Sequence, residues 1–400
     1  MKVTRVIHPI GQGGFYTETL CDNNNNEINV VYDCGGFDNR GEQKMIDYLE
    51  GYLHEGQSNK KIEAVFISHF HADHINGLEY LLNNAKVRYL FIPQMTEDMF
   101  LEELFYNHSF SGNHSSVTSF LTRLYRDDSY GEGEQATKII RVDYSNDNNI
   151  SEDFISDVFP NNMSGLGGWD WKSRKIVNLD APETKILSSN TILYFYKWRY
   201  IPYNLKIEPE KADELKEELR KLFKAEPTIE NLSSLLEKHG VGECAKIYKK
   251  VFGANKMNHI SMTLFSGTLE KVSRCRCKCL HECVCYHHCD CLVPYRYCYN
   301  PNILYTGDFE PKNNMADMER FYSVFWKRIA SVQVPHHGSE NNYEPRLYTH
   351  PIRGFVSVGN DNTYHHPDID TLVKIQNNGC CPIIVTEDKS SMKIYHYAIE

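Results

Sequence analysis

Four hundred residues, 41% of them apolar, can bury a substantial core as one large or two modest domains, so the class is globular. With 53 acidic against 43 basic residues the net charge is −10 and no long Lys/Arg block occurs; wholesale wrapping of a nucleic-acid backbone is not suggested, although a local groove or a bound metal can still receive phosphate. The first eight residues lack the long apolar core of a signal peptide and no apolar stretch reaches membrane-spanning length, so the expectation is a soluble cytoplasmic chain without a membrane partner.

In chain order, residues 3–7 alternate like a strand, and 17–21 and 28–32 read as a hairpin around the Asn-rich turn 22–27. Helical spacing covers 42–53. An apolar run then stops at Ser68, and four metal-competent side chains follow before a helix ends near 83. A short strand is expected at 88–92, a broken helical stretch at 96–126, loops and short strands over 145–190, and a strand at 191–196. Residues 208–252 alternate in charge around leucines and read as three amphipathic helices, a helical insertion capping one side of the core. Strands at 261–265 and 302–305 are expected as neighbours, with a cysteine-rich segment projecting from the hairpin tip between them. Helix 315–326, strand 330–334, strand 355–358, helix 368–376 and strands 383–385 and 392–397 complete a layered α/β/β/α sandwich.

His69 and His71 stand two apart, so in an extended loop they project the same way and can grip one ion. Asp73 and His74 are adjacent at the mouth of a helix, and their different directions suit a second ion nearby. A site of imidazole and carboxylate without thiolate leaves positions open for water, the layout of a hydrolytic site. A lone histidine would instead be read as a satisfied loop or core residue. Asp308, His336 with His337, and His365 with His366 each follow an apolar strand and a Gly or Pro turn; in an α/β sandwich such ends gather at one sheet edge. His108 and His114 could also reach a metal, but read as surface or core residues.

Eight of thirteen cysteines lie between 275 and 298. Cys275, Cys277, Cys279, His281, Cys283, Cys285, His287, His288, Cys289, Cys291 and Cys298 suffice for two four-coordinate structural zinc sites, a zinc knuckle. Such density in a chain without an export signal favours metal over disulfides.

His69-x-His71-x-Asp73-His74 with Gly307-Asp308 resembles the metallo-β-lactamase-fold hydrolases. More narrowly, Gly11-Gln12-Gly13, Asp33-x-Gly35-Gly36, Asn258-x-x-Ser261, Tyr305-Thr306-Gly307-Asp308, Pro335-His336-His337-Gly338-Ser339, and Ser357-Val358-Gly359 leading to His366-Pro367 resemble the lactamase-like domain of bacterial DNA-uptake channel proteins and their stand-alone relatives. The match covers about 3–92 and 258–390. It implies an N-terminal half-core over 1–94, a variable inserted region over 95–207, the helical insertion over 208–257 and a second half-core over 258–400, interrupted by the insertion at 270–300.

The resemblance implies two divalent metals, zinc or manganese: His69 and His71 on one, Asp73, His74 and His366 on the other, Asp308 bridging. The third ligand of the first metal falls at His259, with Asn258, a water or an absent first metal as alternatives. A bridging water would become the attacking hydroxide, Asp73 would orient it, and His336 or His337 would protonate the leaving oxygen. Gly338 would let a phosphate approach the backbone. The reaction expected is phosphodiester hydrolysis on nucleic acid or a nucleotide, with hydrolysis of a thioester, lactone or lactam, or an inactive binding protein, as alternatives. The insertions could also receive a protein partner or a second copy.

Overall fold

The computed structural model describes residues 1–54, 60–110, 114–144, 165–171, 173, 175–205, 211–253, 261–279, 300–360, 362 and 365–400. Two sheets are stacked face to face. Across the first, the strands run Ile186–Leu187, Thr137–Val142, Lys86–Pro93, Lys61–Phe66, Glu27–Cys34, Phe15–Cys21, Lys2–Ile7, Lys393–Ile399 and Val272–Cys279. The second runs Cys381–Val385, Arg353–Ser357, Ser331–Gln333, Ile303–Tyr305, Thr263–Gly267, Trp198–Tyr203, Thr191–Phe195, Gly167–Asp170 and Lys175–Val177.

Side-chain alternation along the first sheet's parallel strands builds the layers. Val31, Val65, Leu90 and Ile139 face an outer helical layer, while Tyr32, Ala64, Phe66, Phe91 and Ile140 face the second sheet. The strands are therefore apolar on both sides, as a sheet covered twice requires. Between the sheets those residues meet Leu193, Trp198, Tyr200 and Tyr305. A buried ion pair there is neutralised locally: Arg5 Nε donates to Glu18 at 2.7 Å, and Trp198, Tyr200, Ser266 and Tyr305 also donate to that carboxylate. Helices Pro311–Phe321, Ser323–Trp326 and Ile369–Asn377 cover the far face of the second sheet through Met315, Met318, Phe325 and Ile375. The order is helix, sheet, sheet, helix.

Three helices, Ala212–Phe223, Ile229–Leu236 and Val241–Phe252, pack their apolar faces on Glu97–Phe110 and His114–Arg126. Leu215, Leu219, Leu232, Leu236 and Val251 thereby join the same core as Leu101, Leu104 and Phe105. No helix among the described residues is long and apolar enough to cross a membrane.

Two strands, Thr137–Val142 and Trp198–Tyr203, fall where the sequence pattern singles out nothing. The cysteine-rich segment also departs from expectation. Its flanks, Thr263–Gly267 and Ile303–Tyr305, do pair antiparallel in the second sheet. Yet Val272–Cys279 is no hairpin tip: it crosses to the first sheet and pairs with Lys393–Ile399, placing Cys275 opposite Tyr397 and Cys277 opposite Tyr395. A period-two run suits a strand, and the last strand of a sheet leaves an open row of backbone groups for it to join. His281, Cys283, Cys285, His287, His288, Cys289, Cys291 and Cys298 lie outside the described residues, as do Asn258 and His259.

Candidate metal centre

Strand ends from both sheets converge. From the first, Lys61–Phe66 runs out through Ser68 into the histidine loop, which closes with the one-turn helix Ala72–Ile75. Ring centroids of His69 and His74 are 4.2 Å apart and those of His69 and His71 4.7 Å. From the second sheet, the end of Ile303–Tyr305 delivers Asp308 and the end of Ser331–Gln333 delivers His336 and His337. The approach is so close that a Cβ on Gly307, at φ +53°, would fall 2.4 Å from Ser261 Oγ and 2.6 Å from Ser68 Cβ. Glycine is what lets Asp308 enter. His336 and His337 both have positive φ, 48° and 55°, a conformation that residues other than glycine rarely adopt, and both rings bring Nε2 to within 4 Å of Asp308, at 3.9 and 3.7 Å.

Asp308 sits at the centre. Its Oδ2 is 3.6 Å from His69 Nε2 and 3.9 Å from His336 Nε2; its Oδ1 is 3.3 Å from His74 Nε2 and 3.7 Å from His337 Nε2. Asp73 Oδ2 is 3.4 Å from His337 Nε2. Among the described residues, two groups have donor atoms all within 4.8 Å of one another: His69, His74 and Asp308, and Asp73, His74 and His337.

Hydrogen bonds decide which ring nitrogen faces this cavity. His74 Nδ1 donates to Asp33 Oδ2 at 2.8 Å. Ser68 Oγ gives its proton to the same carboxylate at 2.9 Å, so its lone pair accepts from His69 Nδ1 at 2.9 Å. His337 Nδ1 donates to the Ser357 carbonyl at 2.9 Å. Asn342 Nδ2 donates to the Phe309 carbonyl at 3.0 Å, which turns its Oδ1 toward His336 Nδ1, 3.2 Å away. Each Nδ1 hydrogen is committed, so in the neutral ring each Nε2 presents a lone pair. The Nε2 atoms of His69, His74 and His337 are buried and have no hydrogen-bond partner. Buried polar atoms are seldom left so, and three lone pairs converging on carboxylates fit a divalent cation.

The electrostatics agree. Burial opposes charge on His74, but Asp308, Asp33 and Asp73 outweigh it and hold the imidazole well above its ordinary value. Burial, then the neighbouring His74, holds His69 well below, and burial takes His71 down to about 3. Asp73 and Asp308 lie below the usual carboxylate range despite burial, Asp73 chiefly through His74 and Asp308 through His336 and His74. Burial raises Asp33 against the pull of His74 and Ser68. This pocket favours a positive charge at its centre.

Of the residues singled out in the sequence, His69, Asp73, His74, Asp308 and His337 come together here. His71 is close by, but its Nε2 faces Glu103 Oε2 at 3.9 Å and its ring stacks on Tyr106 at 4.0 Å. His366 lies outside both donor groups, its ring 5.6 Å from that of His336, and burial lowers it to about 4. Gly338 has a packing reason: at φ +83° its Cβ would meet Pro367 Cβ at 2.8 Å. His108 is buried near the C-terminal end of helix Glu97–Phe110 and belongs to neither donor group. Sequence reading gave no role to Asp33, Ser68, Ser261, Asn342 or Glu103. Asp33 stood within a quoted motif, and its positive φ of 55° in a strand end is the signal that it is held for a purpose.

A family model described as the metallo-beta-lactamase superfamily matches residues 22–136, which contain the histidine loop. Over 79 residues, 19% of this chain, the sequence is 34% identical to Ribonuclease J of Mycoplasma pneumoniae and 33% identical to Ribonuclease J of Mycoplasma genitalium. The matched stretch spans 13% of the length of each of those relatives. Among solved structures, the metallo-beta-lactamase fold protein YhfI from Bacillus subtilis overlays at TM-score 0.38 and 9% identity, covering 96% of this chain and 97% of its own. Unliganded yeast PDE1 overlays at TM-score 0.37 and 10% identity over 100% of both chains. At those TM-scores neither overlay carries an argument. The family match places a metallo-beta-lactamase superfamily domain over residues 22–136, and the helix, sheet, sheet, helix order is consistent with that fold.

Proposed function

We propose that this protein is a two-metal hydrolase cleaving phosphodiesters of nucleic acid or nucleotides. The observation that carries the reading is the convergence of three buried, unpartnered Nε2 atoms on two carboxylates. One lone pair serves one ion, so His74 belongs to a single set. Asp73, His74 and His337 would hold one cation, His69 and His71 contribute to the other, and Asp308 lies between. Divalent cations so held supply Lewis acidity to a phosphoryl oxygen and acidify water bound to them.

His336 is left for proton transfer. Its side chain is 18% exposed, unlike the buried His69, His74 and His337, and its Nδ1 is committed to Asn342, so Nε2 is the atom that exchanges a proton with the leaving oxygen. This reading moves His337 from proton transfer to metal binding and sets His366 beside His336. The preference for phosphate over acyl substrates rests on the imidazole at that position and on the partial kinship with Ribonuclease J. The Cys/His segment 275–298 is proposed to hold structural zinc on its spacing alone.

The test compares purified protein, reconstituted with manganese or zinc, on bis-p-nitrophenyl phosphate and short single-stranded RNA against nitrocefin and a thioester. Turnover of the phosphodiesters is expected. Turnover of the acyl substrates alone would replace the reading with an acyl hydrolase, and turnover of none with a binding protein.

A further inference from the structure

Strands Ile303–Tyr305 and Ser331–Gln333 lie side by side, and each runs into a turn that carries site residues, Asp308 after the first and His336 with His337 after the second. Their parallel ladder pairs Ile303 with Ser331 and Leu304 with Val332, and there it ends. Past that point the spacing of the two turns decides how far Asp308 stands from the imidazoles opposite it. That spacing matters, because a misplacement of about 1 Å can cost on the order of 10²-fold in rate.

Gln333 spans the gap. Its side chain is buried, and Oε1 accepts from the backbone N–H of Thr306 at 3.0 Å and from that of Gly307 at 3.0 Å. Its own carbonyl accepts from Thr306 Oγ1 at 2.8 Å. Both amides lie beyond the ladder, where buried N–H groups still require an acceptor. From the same strand end, His336 N–H donates to the Gly307 carbonyl at 3.2 Å. Gly307, whose φ of +53° makes the turn into Asp308, is therefore gripped at both polar groups, its N–H by Gln333 and its carbonyl by His336.

Seating the strand is a different task, and it is met elsewhere. Ser331–Gln333 pairs on its other side with Arg353–Ser357, and that pairing reaches Gln333 itself, opposite Phe355. What the side chain adds is the hold on the turn before Asp308.

We infer that Gln333 is a positioning residue for Asp308, setting through the backbone of Thr306 and Gly307 the distance between that carboxylate and the histidines of the adjoining turn. The inference rests on the metal-centre reading above. Gln333 acts only through Asp308, so its effect depends on Asp308 being present.

The experiment measures cobalt(II) affinity of the full-length chain by chelator competition, and kcat and KM on bis-p-nitrophenyl phosphate. Gln333→Met keeps the length and removes the acceptor; it is expected to weaken cobalt(II) binding by about 10-fold or more and to lower kcat by about 10- to 100-fold, with KM nearly unchanged. Gln333→Glu keeps an acceptor oxygen, guards against failure to fold, and should lose less on both counts. Thermal unfolding in chelator should show that both variants fold. The readout that a merely structural glutamine would not move is the coupling to Asp308. In the Asp308→Ala background, Gln333→Met should weaken the remaining cobalt(II) affinity by less than about twofold, because the group it positions is gone. Wild-type affinity and kcat in Gln333→Met would overturn the inference, as would an equal loss of affinity with and without Asp308. If Asp308→Ala itself binds cobalt(II) as tightly as wild type, the metal-centre reading fails and takes the inference with it; if Asp308→Ala binds weakly and Gln333→Met does not, the inference alone fails.

Discussion

His8 and His74 both follow the end of a first-sheet strand, and both rings are buried, yet they have opposite surroundings. His8 packs against Phe15 at 4.3 Å and edge-on against Tyr52 at 5.5 Å, with Nδ1 bonded to Tyr48 Oη at 2.9 Å and Nε2 to Thr17 Oγ1 at 2.8 Å. Both nitrogens are satisfied, and burial drives the ring toward neutrality. His74 has one nitrogen on Asp33 and the other facing Asp308 with no hydrogen bond, ringed by carboxylates that draw it toward positive charge. Burial alone does not separate a packing histidine from a ligand. The count of committed ring nitrogens, and the sign of the surrounding charge, does.

The comparison breaks if substitutions around His74 and around His8 have similar effects. Asp308→Ala removes the carboxylate shared by the surrounding imidazoles and is expected to lower kcat/KM on a phosphodiester by on the order of 10³-fold or more, the several kcal/mol that metal catalysis contributes. Thermal unfolding in chelator should show that it folds. His336→Ala is expected to lower kcat by ~10²-fold while metal content stays at the wild-type value, as suits a proton donor rather than a ligand. Equal loss of metal would reassign it. Asp33→Asn keeps the shape around His74 Nδ1 but removes the charge, and is expected to weaken metal affinity by about 10- to 100-fold in chelator competition.

The contiguous half of the site was legible because strand, loop and helix periodicity place His69, His71, Asp73 and His74 without reference to anything distant. Asp308 was legible through the glycine before it. His336 and His337 were recognised but not told apart: which of two adjacent imidazoles turns inward depends on two consecutive left-handed residues, and Pro-His-His-Gly does not encode that choice by spacing. Glu103 was hidden because all residues of its helix from Met99 to Ser109 except Glu102 are buried, so no polar face marks it, and His71 lies about thirty residues away. In the fold, Trp198–Tyr203 escaped notice because its hairpin turn places Tyr196 at φ 50° where Asn or Gly would advertise the bend. The path of the cysteine segment was not legible because Cys275, Cys277 and Cys279, alternate residues of a ligand-like run, also satisfy the period of a strand at a sheet edge.

The smallest expected effect belongs to His8 and is read in stability rather than turnover. Burial, reinforced by Lys60, lowers its folded pKa to about 3, below the ordinary 6.5. Above pH 6.5 the ring is neutral folded or unfolded, and its two hydrogen bonds contribute fully. Between 6.5 and 3 the unfolded chain takes up a proton that the folded ring refuses, so stability falls by about 1.4 kcal/mol per pH unit from this group. His8→Gln should leave turnover at pH 7.5 unchanged, and in urea denaturation should lose less stability than wild type between pH 7 and pH 5. The site histidines titrate over that range as well, His69 and His71 against the fold and His74 in its favour, but their contributions are common to both proteins, so the difference between the slopes isolates His8. Parallel slopes would mean that His8 is not held neutral by its surroundings, and the distinction between the two kinds of buried histidine would lose its satisfied member.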